Sequence, residues 1–249
     1  MLPTLLSGRA RDIPLIWAEP RAEGQRKLVI WLPGFSGEKE ALIPQLQELA
    51  DQGYVALSYD PYQHGQRRIE TNDELRVRIH GNIRRYFWPI LGRTATDAST
   101  VVDWAIEHLS VASQVGMGGI SMGGDVSVAA AGLDQRIVAI AACIATPDWL
   151  RPGSFEPPGM PDDEAQAWYE RCNPLTHLNH YHHCPAITFQ CGADDRQVPP
   201  DGAQRFARAL SAIYSGDPQR MNVTLEPGTA HICSRAMWQN TLSWFQRYL

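Results

Sequence analysis

Uninterrupted apolar runs recur along the chain, separated by segments in which apolar residues return at helical spacing. The first run extends from Lys27 to Leu32 and stops at Pro33-Gly34. A run without polar alternation is typical of a strand that is buried on both faces of a parallel sheet. Similar runs predict further strands over 54–59, just before Ser121, and over 137–145, 185–191 and 222–226.

The amphipathic segments between these runs predict helices. Residues 38–52 place their leucines on one stripe, which indicates a helix that covers a sheet. Thr94, with Asp97 three residues later, has the spacing of a capping box and predicts the start of another helix. Asp201 predicts the N-cap of a third helix, and residues 234–249 predict the last one.

Strands and helices therefore alternate, which predicts an α/β fold with an open, mostly parallel sheet and helices on both faces. A length of 249 residues suits one domain of this kind, and we expect a single domain over 1–249. Two segments interrupt the alternation, the first excursion (about 61–93) and the second excursion (about 147–183). Connections of this length often cover a binding site, so both are predicted to be lid-like.

Composition and charge argue against some classes of binding partner and some cellular compartments. The net charge is −5 and no basic patch stands out, which argues against nucleic acid as a partner. No apolar stretch approaches the roughly 20 residues that span a membrane. The N-terminus lacks the cationic lead of a secretory signal. The five cysteines are scattered and odd in number, so we expect a reducing, cytoplasmic environment.

The most informative motif is the pentapeptide 119–123, Gly-Ile-Ser-Met-Gly. It fits the pattern G-x-S-x-G, in which a serine occupies a strained turn between a strand and a helix. Gly119 and Gly123 keep the positions beside the turn free of side chains, and Ser121 is lifted above the sheet. We expect Ser121 to be a nucleophile. A tight turn without chemistry is the alternative.

A serine hydroxyl needs a base that takes its proton and an acid that orients the base. In folds with this turn the chain order is serine, acid, histidine. His231 follows the last predicted strand, and Asp194 and Asp195 follow the strand before it. Asp195 is the preferred acid because it lies three residues before Val198, where the chain must turn toward the next helix.

Stabilisation of a developing oxyanion requires two backbone N–H groups. One is expected from Met122, at the start of the helix behind Ser121, where amides are free and the helix dipole favours negative charge. Phe35, in the loop after the first buried strand, is the candidate for the second. Asp125, one turn beyond Ser121, is interpreted as a residue that compensates the helix dipole.

The aromatic residues and histidines of the two excursions allow more than one interpretation. Four aromatic residues of the two excursions could line an apolar substrate pocket or simply pack against the sheet: Tyr86, Phe87, Trp88 and Trp149. The histidines between His177 and His183 lack companion carboxylates or cysteines at ligand spacing. We therefore predict no metal site and no cofactor.

With these motifs the chain resembles the α/β-hydrolase superfamily, and within it the small bacterial carboxylesterases of the prolyl-oligopeptidase and dienelactone-hydrolase branch. The segment 60–67, with its His64-Gly65-Gln66-Arg67, carries the closer resemblance. The resemblance implies Ser121 as nucleophile, Asp195 as acid and His231 as base, with the N–H groups of Phe35 and Met122 as oxyanion donors. The sequence departs from these relatives at two positions. Pro33 stands where many relatives have histidine, and Ser121 replaces the cysteine of true dienelactone hydrolases. The motifs that carry the superfamily resemblance are 32–37, 119–124, 192–199 and 228–231.

The sequence therefore predicts a serine hydrolase that cleaves small carboxylic esters through an acyl-enzyme. A thioesterase, acyltransferase or peptidase with the same three residues is the first alternative, and a non-catalytic ligand-binding protein of the same fold is the second. Dehalogenase and epoxide-hydrolase chemistry would need an aspartate at position 121. The expected partner is a small-molecule ester, with no nucleic acid and no membrane involved.

Overall fold

An eight-stranded sheet organises the computed structural model, which describes residues 3–21 and 26–249. The strand order is β1-β2-β4-β3-β5-β6-β7-β8. Strands β3 to β8 run parallel, whereas β2 pairs antiparallel with both β1 and β4. The strands are β1 (Leu5–Ala10), β2 (Ile13–Ala18), β3 (Leu28–Leu32), β4 (Val55–Tyr59), β5 (Val115–Ile120), β6 (Ile137–Cys143), β7 (Ala186–Gly192) and β8 (Met221–Glu226).

Helices cover both faces of this sheet, as the sequence predicts. Leu46 and Phe245 belong to the apolar core on one face, and Val101, Val126 and Phe206 belong to the core on the other. The prediction of a mostly parallel α/β fold is therefore confirmed. The helices are α1 (Ile43–Asp51), α2 (Asn72–Gly81), α3 (Ile83–Leu109), α4 (Met122–Leu133), α5 (Asp163–Cys172), α6 (Asp201–Leu210) and α7 (Arg235–Tyr248).

The hairpin of β1 and β2 was not among the predicted elements. A two-residue turn joins the strands, and Arg11 adopts a positive φ of 56° there. Leu5 pairs with Ala18 at the open end and Ala10 with Ile13 at the turn. No glycine or proline marks this turn in the sequence, and these are the usual signals for a hairpin.

The predicted start of a helix at Thr94 is wrong, because α3 begins eleven residues earlier. Asn82 caps it by accepting a hydrogen bond from the Arg85 N–H. Thr94 lies buried in mid-helix, where its hydroxyl donates to the Ile90 carbonyl at 2.7 Å. Pro89 lies inside the helix as well. Burial of the surrounding aromatic and aliphatic side chains outweighs the hydrogen bond that proline removes.

Two further helix starts differ from prediction. Within 38–52, a 3₁₀ turn at Lys39–Leu42 comes first, and α1 begins at Ile43 with a proline in its first turn. Asp201 does not cap α6 but is its first residue. Its carboxylate accepts a hydrogen bond from Arg205 Nε at 2.5 Å instead.

The two excursions pack against each other. The first contributes α2 and the beginning of α3, and the second contributes α5. Arg93 pairs with Glu164 at 2.7 Å across them. The Trp88 and Tyr169 rings stack with their centroids 4.5 Å apart. No helix within 3–21 and 26–249 has both the length and the apolarity needed to cross a bilayer.

Candidate active site

Ser121 occupies a strained turn between β5 and α4. Its backbone angles are φ 53° and ψ −116°, and its N–H donates to the Cys143 carbonyl at 2.8 Å. A Cβ placed on Gly119 would lie 2.6 Å from the Gly123 carbonyl carbon, which is closer than packing allows. A Cβ on Gly123 would collide with the Leu32 carbonyl. Both glycines are therefore required by the close approach of β3, β5 and α4.

Asp195 and His231 lie beside Ser121, although each follows a different strand. His231 Nδ1 is 2.7 Å from Asp195 Oδ2, and His231 Nε2 is 2.9 Å from Ser121 Oγ. The other carboxylate oxygen of Asp195 accepts hydrogen bonds from the N–H groups of Gln197 and Val198. These two bonds fix the carboxylate in place. The whole Asp195 residue is only 3% exposed. Asp194 is exposed, and its N–H donates to the Thr229 carbonyl at 2.9 Å.

The two expected oxyanion donors flank Ser121. Met122 is the first residue of α4, and Phe35 lies in the loop that follows β3. Across the described parts of the chain, neither N–H donates to a protein acceptor. Gly34 brings this loop close, since a Cβ on it would lie 3.7 Å from the Ser121 Cβ. Both amides thus remain available on the edge of the sheet where Ser121 stands.

Two cavities open at Ser121. We call the first the inner cavity, which has a volume of about 20 Å³. The second, the mouth, has a volume of about 490 Å³ and is the one that His231 lines. The inner cavity is lined by apolar side chains together with charged and amide side chains, among them Phe35, Ile79, Phe87, Arg151, Glu156 and Gln197.

Of the four aromatic residues considered for the pocket, only Phe87 lines a cavity with Ser121. Tyr86 packs beneath the guanidinium groups of two arginines. Trp88 is buried and donates from Nε1 to the Trp149 carbonyl at 3.0 Å. Trp149 lines a neighbouring cavity. Tyr86, Trp88 and Trp149 therefore line neither of the two cavities at Ser121.

A buried ion-pair network beside Ser121 was not predicted. Arg151 bonds Asp125 at 2.6 Å and Glu156 at 3.1 Å, and its side chain is 8% exposed. Glu156 in turn accepts from Gln197 Nε2 at 3.0 Å. Asp125 does lie in the first turn of α4, but it is fully buried and pairs with Arg151. Thus Asp125 does more than compensate the helix dipole.

Opposing effects act on the ionisation of this network. Burial raises the pKa of Asp125, and Arg151 and the Thr146 N–H partly offset that rise. Burial disfavours the charge of Arg151, but Asp125 and Glu156 outweigh it and raise the pKa of Arg151. Arg151 therefore stays charged. No sequence signal joins these residues, because Asp125 and Arg151 are 26 positions apart along the chain.

Histidines of the second excursion contact each other or are buried. The His177 and His180 rings lie 4.9 Å apart, and both ring nitrogens of His183 are buried without a hydrogen-bond partner. Burial lowers the pKa of His183. Among the residues that the structure describes, no group of three or more histidine, cysteine or acidic side chains is arranged to hold a metal ion.

Comparison with known proteins places the chain in a family. Residues 91–249, more than half of the chain, match the model of the prolyl oligopeptidase family. The chain is 23% identical over 234 residues to the Bacillus subtilis (strain 168) protein named "Putative esterase YitV", covering 89% of each chain.

Solved structures share the fold over nearly the whole length. The structure of TT1662 from Thermus thermophilus has a TM-score of 0.78 at 20% identity and covers 98% of both chains. A Klebsiella pneumoniae structure titled "Putative Dienelactone Hydrolase" has a TM-score of 0.72 at 18% identity, covering 98% of this chain and 100% of the other. The chain belongs to the prolyl oligopeptidase family and is a hydrolase with the α/β-hydrolase fold.

Proposed function

We propose that this protein is a serine esterase that cleaves small carboxylic esters, with Ser121, Asp195 and His231 as its catalytic triad. The observation that carries the proposal is the continuous pair of hydrogen bonds from Asp195 Oδ2 through His231 to Ser121 Oγ, at 2.7 and 2.9 Å. The positive φ of Ser121 supports it, since backbone strain of this kind concentrates at active sites.

The reaction follows from the positions of these groups. His231 Nε2 takes the proton of Ser121 Oγ as the oxygen attacks the ester carbonyl carbon. The negative charge passes to the carbonyl oxygen, which the N–H groups of Phe35 and Met122 are positioned to receive. Each such donor contributes on the order of 3 kcal/mol to transition-state stabilisation. His231 then gives its proton to the departing alkoxide, and the acyl group remains on Ser121.

Hydrolysis of the acyl-enzyme repeats these steps with water as the nucleophile. His231 takes a proton from the water molecule, and the resulting hydroxide attacks the acyl carbon. Collapse of the second tetrahedral intermediate breaks the bond to Ser121 Oγ, which recovers the proton from His231. The carboxylic acid leaves, and the buried Asp195 carboxylate stabilises the histidinium at both stages.

The cavities favour a substrate with a small acyl group. The inner cavity, about 20 Å³, has room for about one water-sized group. The name of the Bacillus relative also indicates an esterase. The family model makes a peptidase the second candidate. Thioester hydrolysis and acyl transfer would use the same three residues.

The test compares the wild type with Ser121→Ala on p-nitrophenyl acetate and p-nitrophenyl butyrate. Turnover is expected to fall at least about 10³-fold in the variant, leaving only the contribution of binding and oxyanion stabilisation. A fluorophosphonate probe should label the wild type at Ser121 and leave the variant unlabelled. Wild-type turnover in Ser121→Ala would overturn the proposal.

A substrate panel separates the candidate activities. The same wild-type preparation is assayed on p-nitrophenyl esters, acyl-CoA thioesters and short peptide anilides, and values of kcat/KM are compared. The proposal expects the esters to have the highest value. Labelling of Ser121 together with a higher kcat/KM on peptides would replace the esterase assignment with a peptidase, and no labelling of folded protein would favour a ligand-binding role.

A further inference from the structure

The direction of proton transfer decides which half of an ester occupies which cavity. His231 must protonate the departing alkoxide, so the alcohol group has to lie on the side of Ser121 that His231 lines. That side is the mouth. The inner cavity borders Ser121 but not His231. We therefore expect the acyl group of the substrate to occupy the inner cavity.

The inner cavity shares three lining residues with a neighbouring cavity. Ile83, Arg151 and Glu156 line both the inner cavity and this neighbouring cavity, which we call the rear cavity. The rear cavity has a volume of about 170 Å³, compared with about 20 Å³ for the inner cavity. The space beyond these side chains is thus larger than the space in front of them.

Each of the three residues is held in place. Ile83 is the first residue of α3 and is 6% exposed. Arg151 bonds Asp125 and Glu156, and its guanidinium carbon lies 5.1 Å from the centre of the Phe87 ring. The second oxygen of Glu156 accepts from the Gln197 side chain. A charged pair fixed at both ends cannot swing aside without leaving a buried charge unpaired.

We infer that Ile83, Arg151 and Glu156 form a wall that limits the acyl group of the substrate to a short chain. The wall separates an acyl site of about 20 Å³ from an unused space of about 170 Å³. The inference rests on the proposed esterase function and adds the substrate class to it. Since the mouth is about 490 Å³, the wall leaves the alcohol half of the substrate unrestricted.

The experiment measures kcat/KM over two series of substrates. The acyl series contains the p-nitrophenyl esters of acetate, butyrate, hexanoate and octanoate, and the alcohol series contains ethyl, butyl and hexyl acetate. The wild type is expected to lose at least about tenfold in kcat/KM between acetate and octanoate, since a pocket rejects methylenes it cannot hold. Across the alcohol series it should change less than about threefold.

Two variants remove different parts of the wall. Ile83→Ala joins the inner and rear cavities without changing a charge, and Glu156→Ala joins them while Arg151 keeps its bond to Asp125. In each variant the ratio of kcat/KM for octanoate over acetate should rise at least about tenfold. Leu150→Ala is the matched control, because Leu150 lines only the rear cavity and is 40% exposed. Its ratio should stay within about twofold of the wild-type value.

The outcomes separate this inference from the function on which it rests. Acetate hydrolysis that survives Ser121→Ala defeats the proposed function. Ser121-dependent hydrolysis with equal kcat/KM for acetate and octanoate defeats only the wall. The wall also fails if both folded variants keep the wild-type ratio, or if Leu150→Ala raises the ratio as much as they do. Thermal melts identify a variant that does not fold, and the other variant then decides.

Discussion

The loops that follow the strands and the two excursions differ in the contacts that hold them. The loops are fixed by the backbone: the Ser121 N–H bonds the Cys143 carbonyl, and the Asp194 N–H bonds the Thr229 carbonyl. The excursions also share backbone bonds, such as the one from the Arg84 N–H to the Pro158 carbonyl at 2.9 Å, and they add ion pairs between side chains. Arg151 reaches Asp125 at 2.6 Å, and Arg93 reaches Glu164 at 2.7 Å.

The two regions contribute different parts of the candidate active site. Backbone contacts at the ends of the strands hold the loops that carry the three proposed catalytic side chains. The Arg151–Glu156 pair of the second excursion lines the inner cavity. We therefore expect substitutions in the loops to reduce turnover and substitutions in the excursions to alter stability or substrate range.

The largest effect is expected at the acid of the triad. Asp195→Asn should lower kcat on p-nitrophenyl acetate by about 10⁴-fold, because an amide holds the wrong histidine tautomer. The fold should be retained, since the amide oxygen can still accept from the Gln197 and Val198 N–H groups. The matched control is Asp194→Asn at the exposed neighbour, which should keep kcat within about twofold. Equal losses in both variants would contradict the assignment of Asp195.

The buried pair of the second excursion should give the next largest effect, this time on stability. Arg151→Met leaves the fully buried Asp125 without its cation and should lower the free energy of unfolding by about 3–5 kcal/mol. Adding Asp125→Asn should recover part of that loss. Urea unfolding measures both the loss and its recovery as changes in the free energy of unfolding.

The exposed pair across the same excursions provides the comparison for Arg151. Arg93→Met removes a partner of Glu164, whose side chain is 57% exposed, and should cost about 1 kcal/mol or less. A loss at Arg151 no larger than the loss at Arg93 would show that burial does not set the strength of these pairs.

A smaller effect is expected at the start of α2. Thr71 caps this helix by accepting from the Glu74 N–H, and the Glu74 side chain accepts from the Thr71 N–H in return. Thr71→Ala should therefore cost about 1 kcal/mol of unfolding free energy with little change in kcat. Thr71→Ser keeps the hydroxyl and should restore the loss. A matching loss in the serine variant would rule out capping as the cause.

The smallest expected effect concerns pH. Burial lowers the pKa of His64, against the opposing influence of the Tyr62 carbonyl and Asp60. The unfolded chain therefore takes up a proton near pH 6.5 that the folded chain refuses, and the free energy of unfolding falls as the pH drops below that value. His64→Gln should flatten this fall, although the buried His183 will preserve part of it.

Urea unfolding at about pH 7.5 and about pH 5.5 measures this slope. The control is His108→Gln on the solvent side of α3, where the histidine side chain is 49% exposed. A wild-type slope in His64→Gln would contradict the explanation by burial of His64.

Much of the fold and of the candidate site could be predicted from the sequence, because these features depend on residues that are close together along the chain. The run at Lys27 to Leu32 predicts a doubly buried strand, and all five residues of β3 are buried. The pentapeptide 119–123 predicts a strained turn, and Ser121 has a φ of 53°. Helix starts were less accurate: Thr94 carries a capping signal, yet it lies in mid-helix because the aromatic residues before it gain more from burial.

The sequence by itself determined the class of fold, the order of the candidate catalytic residues and the glycines that their turn requires. Those features depend on neighbours along the chain or on the common edge where parallel strands end. Only the tertiary structure decided that Asp195 faces His231, that Phe87 alone of four aromatics reaches the cavity at Ser121, and that Arg151 joins Asp125 to Glu156. Such contacts join residues far apart in sequence, and their formation depends on how whole helices and loops pack.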